Sequence, residues 1–393
     1  MWSQFLHAHT ASVTSLCFSP HEAVYPHLLC STSGDETIAL WDYYSGESIA
    51  RLWYHREPVN HALFLPDDPH LLLTASDDGR VALWDLRRHE HPLGVLSDFR
   101  EGVNKVILLP FSCVPDGVDL TGSSASTFFP PPRPRYLTAS ACDDGMVYLH
   151  AIFPPSALLE DRLSNPDPDD GEREGGILGR LLDRFVVSIS TVNDLVLIPG
   201  GEILLTASED GAVRGWRLGF PPSSSSSASP SPSDRLLLNL DEFENPVNHL
   251  AIVPRGWMGD PQETPAPAGA PFPCWVLAAS SEGVFGIALR PPAGAPDPDV
   301  RVFVGHADYV RGIDFTPART LLTVADDGTA MEWGLPTAQA IRQVRLHEGL
   351  VMAAALAPDG AAFATGSDTG EIRVWRQPFQ TEALAGVPEA VAG

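Results

Sequence analysis

Seven times along the chain a valine is followed, after six intervening residues, by a proline: Val13 and Pro20, Val59 and Pro66, Val103 and Pro110, Val192 and Pro199, Val247 and Pro254, Val310 and Pro317, Val351 and Pro358. A fixed internal spacing means one supersecondary unit copied along the chain, and a single unit cannot bury its own apolar face. After each proline comes a short apolar run ending in small residues, then one or two acids, usually a glycine, and an alternating stretch that often closes on tryptophan. The second copy reads VNHALFLP, LLLTASDD and GRVALWDLR.

The small residues, the acidic turn and the Trp-Asp ending resemble the WD-repeat family. STSGDETIALWD (Ser31 to Asp42), TASDDGRVALWD (Thr74 to Asp85), TASEDGAVRGW (Thr206 to Trp216) and GSDTGEIRVW (Gly366 to Trp375) carry the resemblance, which runs from about residue 3 to residue 376. It implies an all-β, seven-bladed WD40 β-propeller, each blade a meander of four antiparallel strands a to d around a central channel. An open ring would leave two unpaired strand edges. The last copy ends with its third strand, Glu371 to Arg376, and Ser3 to Leu6 precede the first copy, so the N-terminal segment is expected to complete the last blade.

Seven blades of ~40–45 residues use roughly 280–315 residues, so the chain reads as one domain over 1–376 with a tail at 377–393. The surplus falls in insertions at 111–133, 153–180, 219–234, 255–273 and 291–299, rich in Pro, Gly, Ser and Asp and expected to lack structure. Each lies between strands a and b or between c and d, which in an antiparallel meander places all of them on one face, the bottom. They serve either as tolerated length drift or as ligand-wrapping arms.

Net charge is −25, which argues against nucleic acid as a direct partner and favours basic proteins, or else only maintains solubility. Lys105 is the single lysine. No run approaches the ~18 apolar residues of a membrane span, and MWSQFLHAHT has neither region of a secretory signal. The 5 cysteines show no Cys-x-x-Cys spacing, so neither disulfides nor zinc are indicated. The expectation is an intracellular, monomeric propeller within a larger complex, in cytoplasm or nucleus.

The resemblance also implies a hydrogen-bonded His, Ser/Thr, Asp and Trp set within each blade, structural rather than catalytic. By position the first copy has His9, Ser33, Asp35 and Trp41, and the second His55, Ser76, Asp78 and Trp84. The third has Phe99, Cys142 and His150 in place of His, Ser and Trp; the fifth has Phe243, Glu282 and Ala288; the sixth keeps His306, Asp327 and Trp333 but has Ala325. In the last copy Asp368 sits one place early and Thr369 stands where Asp is expected.

No phosphate-binding glycine loop, HExxH or nucleophile elbow occurs, so no enzyme, metal or cofactor is expected. His89-Glu90-His91 reads as a solvated turn. An acid–base pair lining the channel would be the mark of a propeller enzyme.

The resemblance implies partner-facing positions around the top opening. Immediately after each valine stand Thr14, Asn60, Asn104, Asn193, Asn248, Arg311 and Met352, with Tyr309 beside them, and the turn positions supply Asp77, Asp143, Glu209 and Asp326, with Asp368 nearby. This rim suits a basic protein segment; alternatively the asparagines satisfy backbone groups. Leu72 to Arg87 resembles the box of cullin-RING ligase substrate receptors, with Asp78, Trp84, Asp85 and Arg87 in its Asp, Trp, Asp and Arg positions. The function expected is an interaction scaffold or adaptor; the alternative is a ligase substrate receptor.

Overall fold

The structure, a computed structural model, describes residues 2–7, 9–113, 134–153, 176–177, 179–218, 232–241, 243–258, 274–281, 283–289 and 300–376. It is a ring of seven antiparallel sheets, the blades of a propeller. Strands a, lining the centre, are Val13–Phe18, Val59–Phe64, Val103–Leu109, Val192–Leu197, His249–Ile252, Val310–Phe315 and Val351–Leu356. Among the described residues only Phe111–Cys113 and Pro232–Arg235 form helical turns.

The valine and proline of each repeat have opposite fates. All seven valines are fully buried, because each packs between its own blade and the preceding one. The prolines end strand a, where a residue without an N–H closes a ladder at no cost. The apolar core is accordingly not one mass but seven wedges, one at each blade-to-blade junction.

Closure is made by Trp2–His7, which pairs antiparallel with Glu371–Arg376 from Trp2 opposite Arg376 to His7 opposite Glu371. Leu6 of this strand is 1% exposed and joins the wedge between the last and first blades. The first and last blades are thereby joined through main-chain hydrogen bonds, and no gap opens in the ring.

The segments 114–133, 154–175, 219–231, 259–273, 290–299 and 377–393 lie outside the described residues. Where insertions meet the blades they are ordered, which corrects the wider unstructured ranges expected from composition. Gly176–Ile177 adds a parallel fifth strand to Gly94–Leu96, the outer strand of blade 2, and Gly179–Val186 is already strand d of blade 3. The buried Cys113 thiol donates to the Gly201 carbonyl. Met258 is buried in the wedge of blades 5 and 6, and Arg235, itself buried, bonds Asp183 at 2.5 Å. Apolar or paired side chains anchor these ends to the blades.

Inside the blades a second correction appears. The hydroxyl that bridges histidine and tryptophan is Ser31 in blade 1 and Thr74 in blade 2, not Ser33 and Ser76. Trp41 Nε1 donates to Ser31 Oγ at 3.0 Å and His9 Nε2 lies 2.8 Å from the same oxygen. Trp84 Nε1 and His55 Nε2 stand 3.0 and 2.8 Å from Thr74 Oγ1. The ladder explains it: Trp41 pairs with Leu29, so Ser31 is one same-face step away and Ser33 two, or ~7 Å against ~13 Å along the strand. Ser33 and Ser76 instead accept from the amides of Asp35 and Asp78 and shape the turn.

The same shift completes blade 6, despite Ala325, since Thr323 bonds both Trp333 and His306, at 2.8 and 2.7 Å. Blade 7 does likewise through Thr365, with Glu371 rather than an aspartate 3.5 Å from His347. Each chain ends on a carboxylate facing His Nδ1, as Asp35 faces His9 at 3.1 Å and Asp78 faces His55 at 3.0 Å. Burial pushes the His9 imidazole below its usual value despite Asp35. In its neutral form Nδ1–H donates to the acid and Nε2 accepts the hydroxyl proton. Blade 3 replaces the set with Phe99 packed on Tyr148 and His150, and blade 5 with Phe243 against Phe285; Glu282 lies outside the described residues.

Candidate functional site: the channel mouth and its rim

Strict alternation along strand a would send successive side chains to opposite faces. In six of the seven blades the register slips at the residue after the valine, so that Thr14, Asn60, Asn104, Asn193, Arg311 and Met352 are bulged. A bulge re-aims side chains. The residue after the valine and the one following it therefore both line the central cavity, whose volume is about 380 Å³.

The outer layer is a chain of clasps between neighbouring blades. Thr14 Oγ1 donates to the Val59 carbonyl, Asn60 Nδ2 to the Val103 carbonyl at 3.2 Å, Asn104 Nδ2 to the Val192 carbonyl at 3.1 Å and Asn193 Nδ2 to the Val247 carbonyl at 2.9 Å. Asn60 and Asn104 also hold the rim acids, reaching Asp77 at 2.5 Å and Asp143 at 2.8 Å. The expected rim asparagines are thus largely spent on backbone carbonyls. Asn248 breaks the series, its buried Nδ2 having no partner among the described residues.

The rim acids differ from one another. Asp326 is buried and gripped by Arg311 through Nε at 2.9 and 3.0 Å and Nη2 at 2.7 Å, while the Arg311 guanidinium lies 5.4 Å from the Tyr309 ring. Glu209 is exposed and Asp368 half-buried. Asp77 and Asp143 converge on Gly102: a Cβ there would stand 2.9 Å from Asp77 Oδ1 and 2.6 Å from Asp143 Oδ2. Among the described residues no ion pair reaches either acid. Burial first, and then the charges of Asp143, Glu57 and Asp78, raise the Asp77 carboxyl above the usual range.

The inner layer was not foreseen. In copies two to five the residue after each asparagine is titratable: His61, Lys105, Asp194 and His249. Asp194, 1% exposed, pairs with Lys105 Nζ and with His249 Nδ1 at 2.6 Å. Burial alone would raise its carboxyl, but Lys105 and then His249 outweigh burial and hold it well below the carboxylate range. Burial, with the Lys105 cation next, pushes the His61 imidazole down to about 3. The sequence signal was the repeated Val-Asn-x triplet, which counts as a site only once the bulge turns both positions inward.

On the opposite face Arg87 follows strand c of blade 2. Its guanidinium is bidentate to Asp85, Nε at 2.8 Å and Nη2 at 2.7 Å, and its amide donates to the same acid at 3.0 Å. The Arg87 side chain nevertheless remains 59% exposed, whereas Asp85 is buried. Trp84 is fully buried and Asp78 belongs to the His55 set, so of the four box residues only Arg87 presents itself to solvent. His89, Glu90 and His91 are exposed in a turn, and among the described residues no three metal-ligating side chains converge. No described helix is long and apolar enough to cross a membrane.

The WD domain, G-beta repeat model matches residues 3–42, 46–85, 183–217, 298–334 and 339–376. Five of the seven blades carry the WD40 repeat. The two blades of this WD40 propeller without a match, 3 and 5, are those in which aromatic packing replaces the hydrogen-bonded set. The crystal structure of the WD40 β-propeller domain of Doa1 superposes with a TM-score of 0.63 at 16% identity, covering 95% of each chain. The guanine nucleotide-binding protein subunit beta of Zea mays is 34% identical over 89 residues, which are 22% of this chain and 23% of that subunit. The match thus spans under a quarter of its length. WD40 propellers generally act as protein-interaction modules, and a protein-interaction role is the one supported for this chain.

Proposed function

We propose that this WD40 propeller acts, as a monomer, as a scaffold of a multiprotein complex whose top face captures a basic protein segment between blades 2 and 3. The observation that carries this reading is the pair Asp77 and Asp143, two carboxylates beside a side-chain-free Gly102 with no cation of their own. An arginine or lysine entering there relieves the repulsion between them and gains charge-assisted hydrogen bonds. Asp326 drops out of the seat because Arg311 already neutralises it; Glu209 remains as an outlying acid.

The test is fluorescence anisotropy of an arginine-rich peptide against wild type and an Asp77→Asn/Asp143→Asn double variant. Loss of binding by tenfold or more is expected, and equal affinity for both proteins rejects the reading.

A second reading is favoured by Arg87, exposed yet fixed by three hydrogen bonds to Asp85. A preorganised guanidinium binds with less ordering cost, as a docking contact for a cullin-RING ligase adaptor requires. Recovery of that adaptor equally by wild type and Arg87→Ala protein removes this alternative.

A further inference from the structure

The inner layer of the channel carries chemistry that neither the rim seat nor the bottom face uses. Asp194 is saturated. Its Oδ1 takes the Leu195 amide at 2.6 Å and Lys105 Nζ, and its Oδ2 takes the Leu250 amide at 2.8 Å and His249 Nδ1 at 2.6 Å. A carboxylate has about four lone-pair directions, so this one has no acceptor capacity left.

The capacity that remains around it is on donors. An ammonium has three N–H groups, and Asp194 takes only one from Lys105. His249 engages the acid through Nδ1, and its Nε2 is a donor only when the ring carries both protons. Asn248 Nδ2 and His61 Nδ1 are buried without a partner among the described residues. All four side chains line one cavity, about 380 Å³ in volume, which falls within the roughly 300–1,000 Å³ of small-molecule sites. A ligand that completes these bonds brings acceptors and negative charge.

We propose that the central channel binds a small oxyanion, the phosphate or carboxylate group of a small molecule, on Lys105, His249 and Asn248. Asp194 does not repel it, being paired with the Lys105 ammonium and saturated by its four donors, and acts as the positioning residue that aims Lys105 and His249. The neighbouring carboxylate seat at Asp77 and Asp143 has the opposite preference, so the two sites are independent. The protein as a whole is charged −25, which disfavours unspecific anion uptake.

Because Lys105 is the single lysine, the full chain labelled with 13C at lysine Cε gives one lysine side-chain signal. Sodium phosphate and sodium acetate are titrated separately, against sodium chloride at equal ionic strength. A saturable shift of that signal with either anion, weakened at least tenfold in Asn248→Asp, is expected, and the anion that saturates identifies the group. Asn248→Leu replaces the aspartate variant if the latter does not fold. Shifts no different from chloride, or unchanged affinity in the Asn248 variant, overturn the proposal.

Discussion

Blades 1, 2, 6 and 7 stand against blades 3, 4 and 5 in how they hold themselves together. The first group runs a hydrogen-bonded chain inside each blade, from indole to hydroxyl to imidazole, with a carboxylate facing the far imidazole nitrogen. In the second group that chain is broken: blade 4 keeps Trp216 on Thr206 at 3.0 Å but has Ser188 in the imidazole position, bonded to Asp210 at 2.9 Å. What blades 3 to 5 rely on runs around the ring: the clasps of Asn104 to Val192 and Asn193 to Val247, of the kind that Thr14 and Asn60 also make from blades 1 and 2, and the ion cluster of Lys105, Asp194 and His249. A propeller needs each blade fixed to its neighbours, and bonds within a blade or bonds between blades both meet that need.

The largest break in this comparison is Asp194→Ala. It strands a partly buried ammonium and two strand amides at once, and since loss of one partner of a fully buried pair costs about 3–5 kcal/mol, urea unfolding is expected to register a loss near the lower end of that range. Thr74→Val tests the within-blade mode by leaving the His55 and Trp84 ring nitrogens unpaired. A cost of about 1–3 kcal/mol is expected from the desolvation penalty, while Ser76→Ala at the originally expected position costs less than half as much.

Acid probes the inter-blade mode through His61. Its folded pKa is about 3 against 6.5 unfolded, so below 6.5 the unfolded chain binds a proton the folded one refuses. Stability therefore falls as pH drops through 6.5 toward 3, by about 1–2 kcal/mol between pH 7 and 5. His61→Gln should flatten the dependence of Tm on pH in that window. Asn104→Ala removes one clasp and frees the Val192 carbonyl, for about 1 kcal/mol. Arg87→Ala sets the lower bound: an exposed side chain away from both modes, it should alter stability by no more than about 0.5 kcal/mol, whatever it does to partner recovery.

The repeat was readable because its spacing is local. Valine to proline measures one strand, and seven such strands with tryptophan-ended meanders permit little besides a closed ring. The within-blade sets were readable in kind but misplaced by two residues, because Ser33 and Ser31 share a face and only the cross-strand register says which one reaches Trp41. The same ambiguity concealed the completeness of blades 6 and 7. At the rim, the asparagines were visible as a series, yet their occupation by the next blade's carbonyls depends on the approach of two blades.

The sequence by itself determined the number of blades, their order and the strand that closes them, since these follow from periodicity and from where the last repeat lacks a strand. Only the tertiary structure decided which polar groups are spent and which remain. Lys105, Asp194 and His249 belong to three different repeats and line one channel, Lys105 and Asp194 because bulges at the start of their strands turn them inward. A bulge is a property of paired strands and a channel a property of the closed ring, so neither is written in any single repeat.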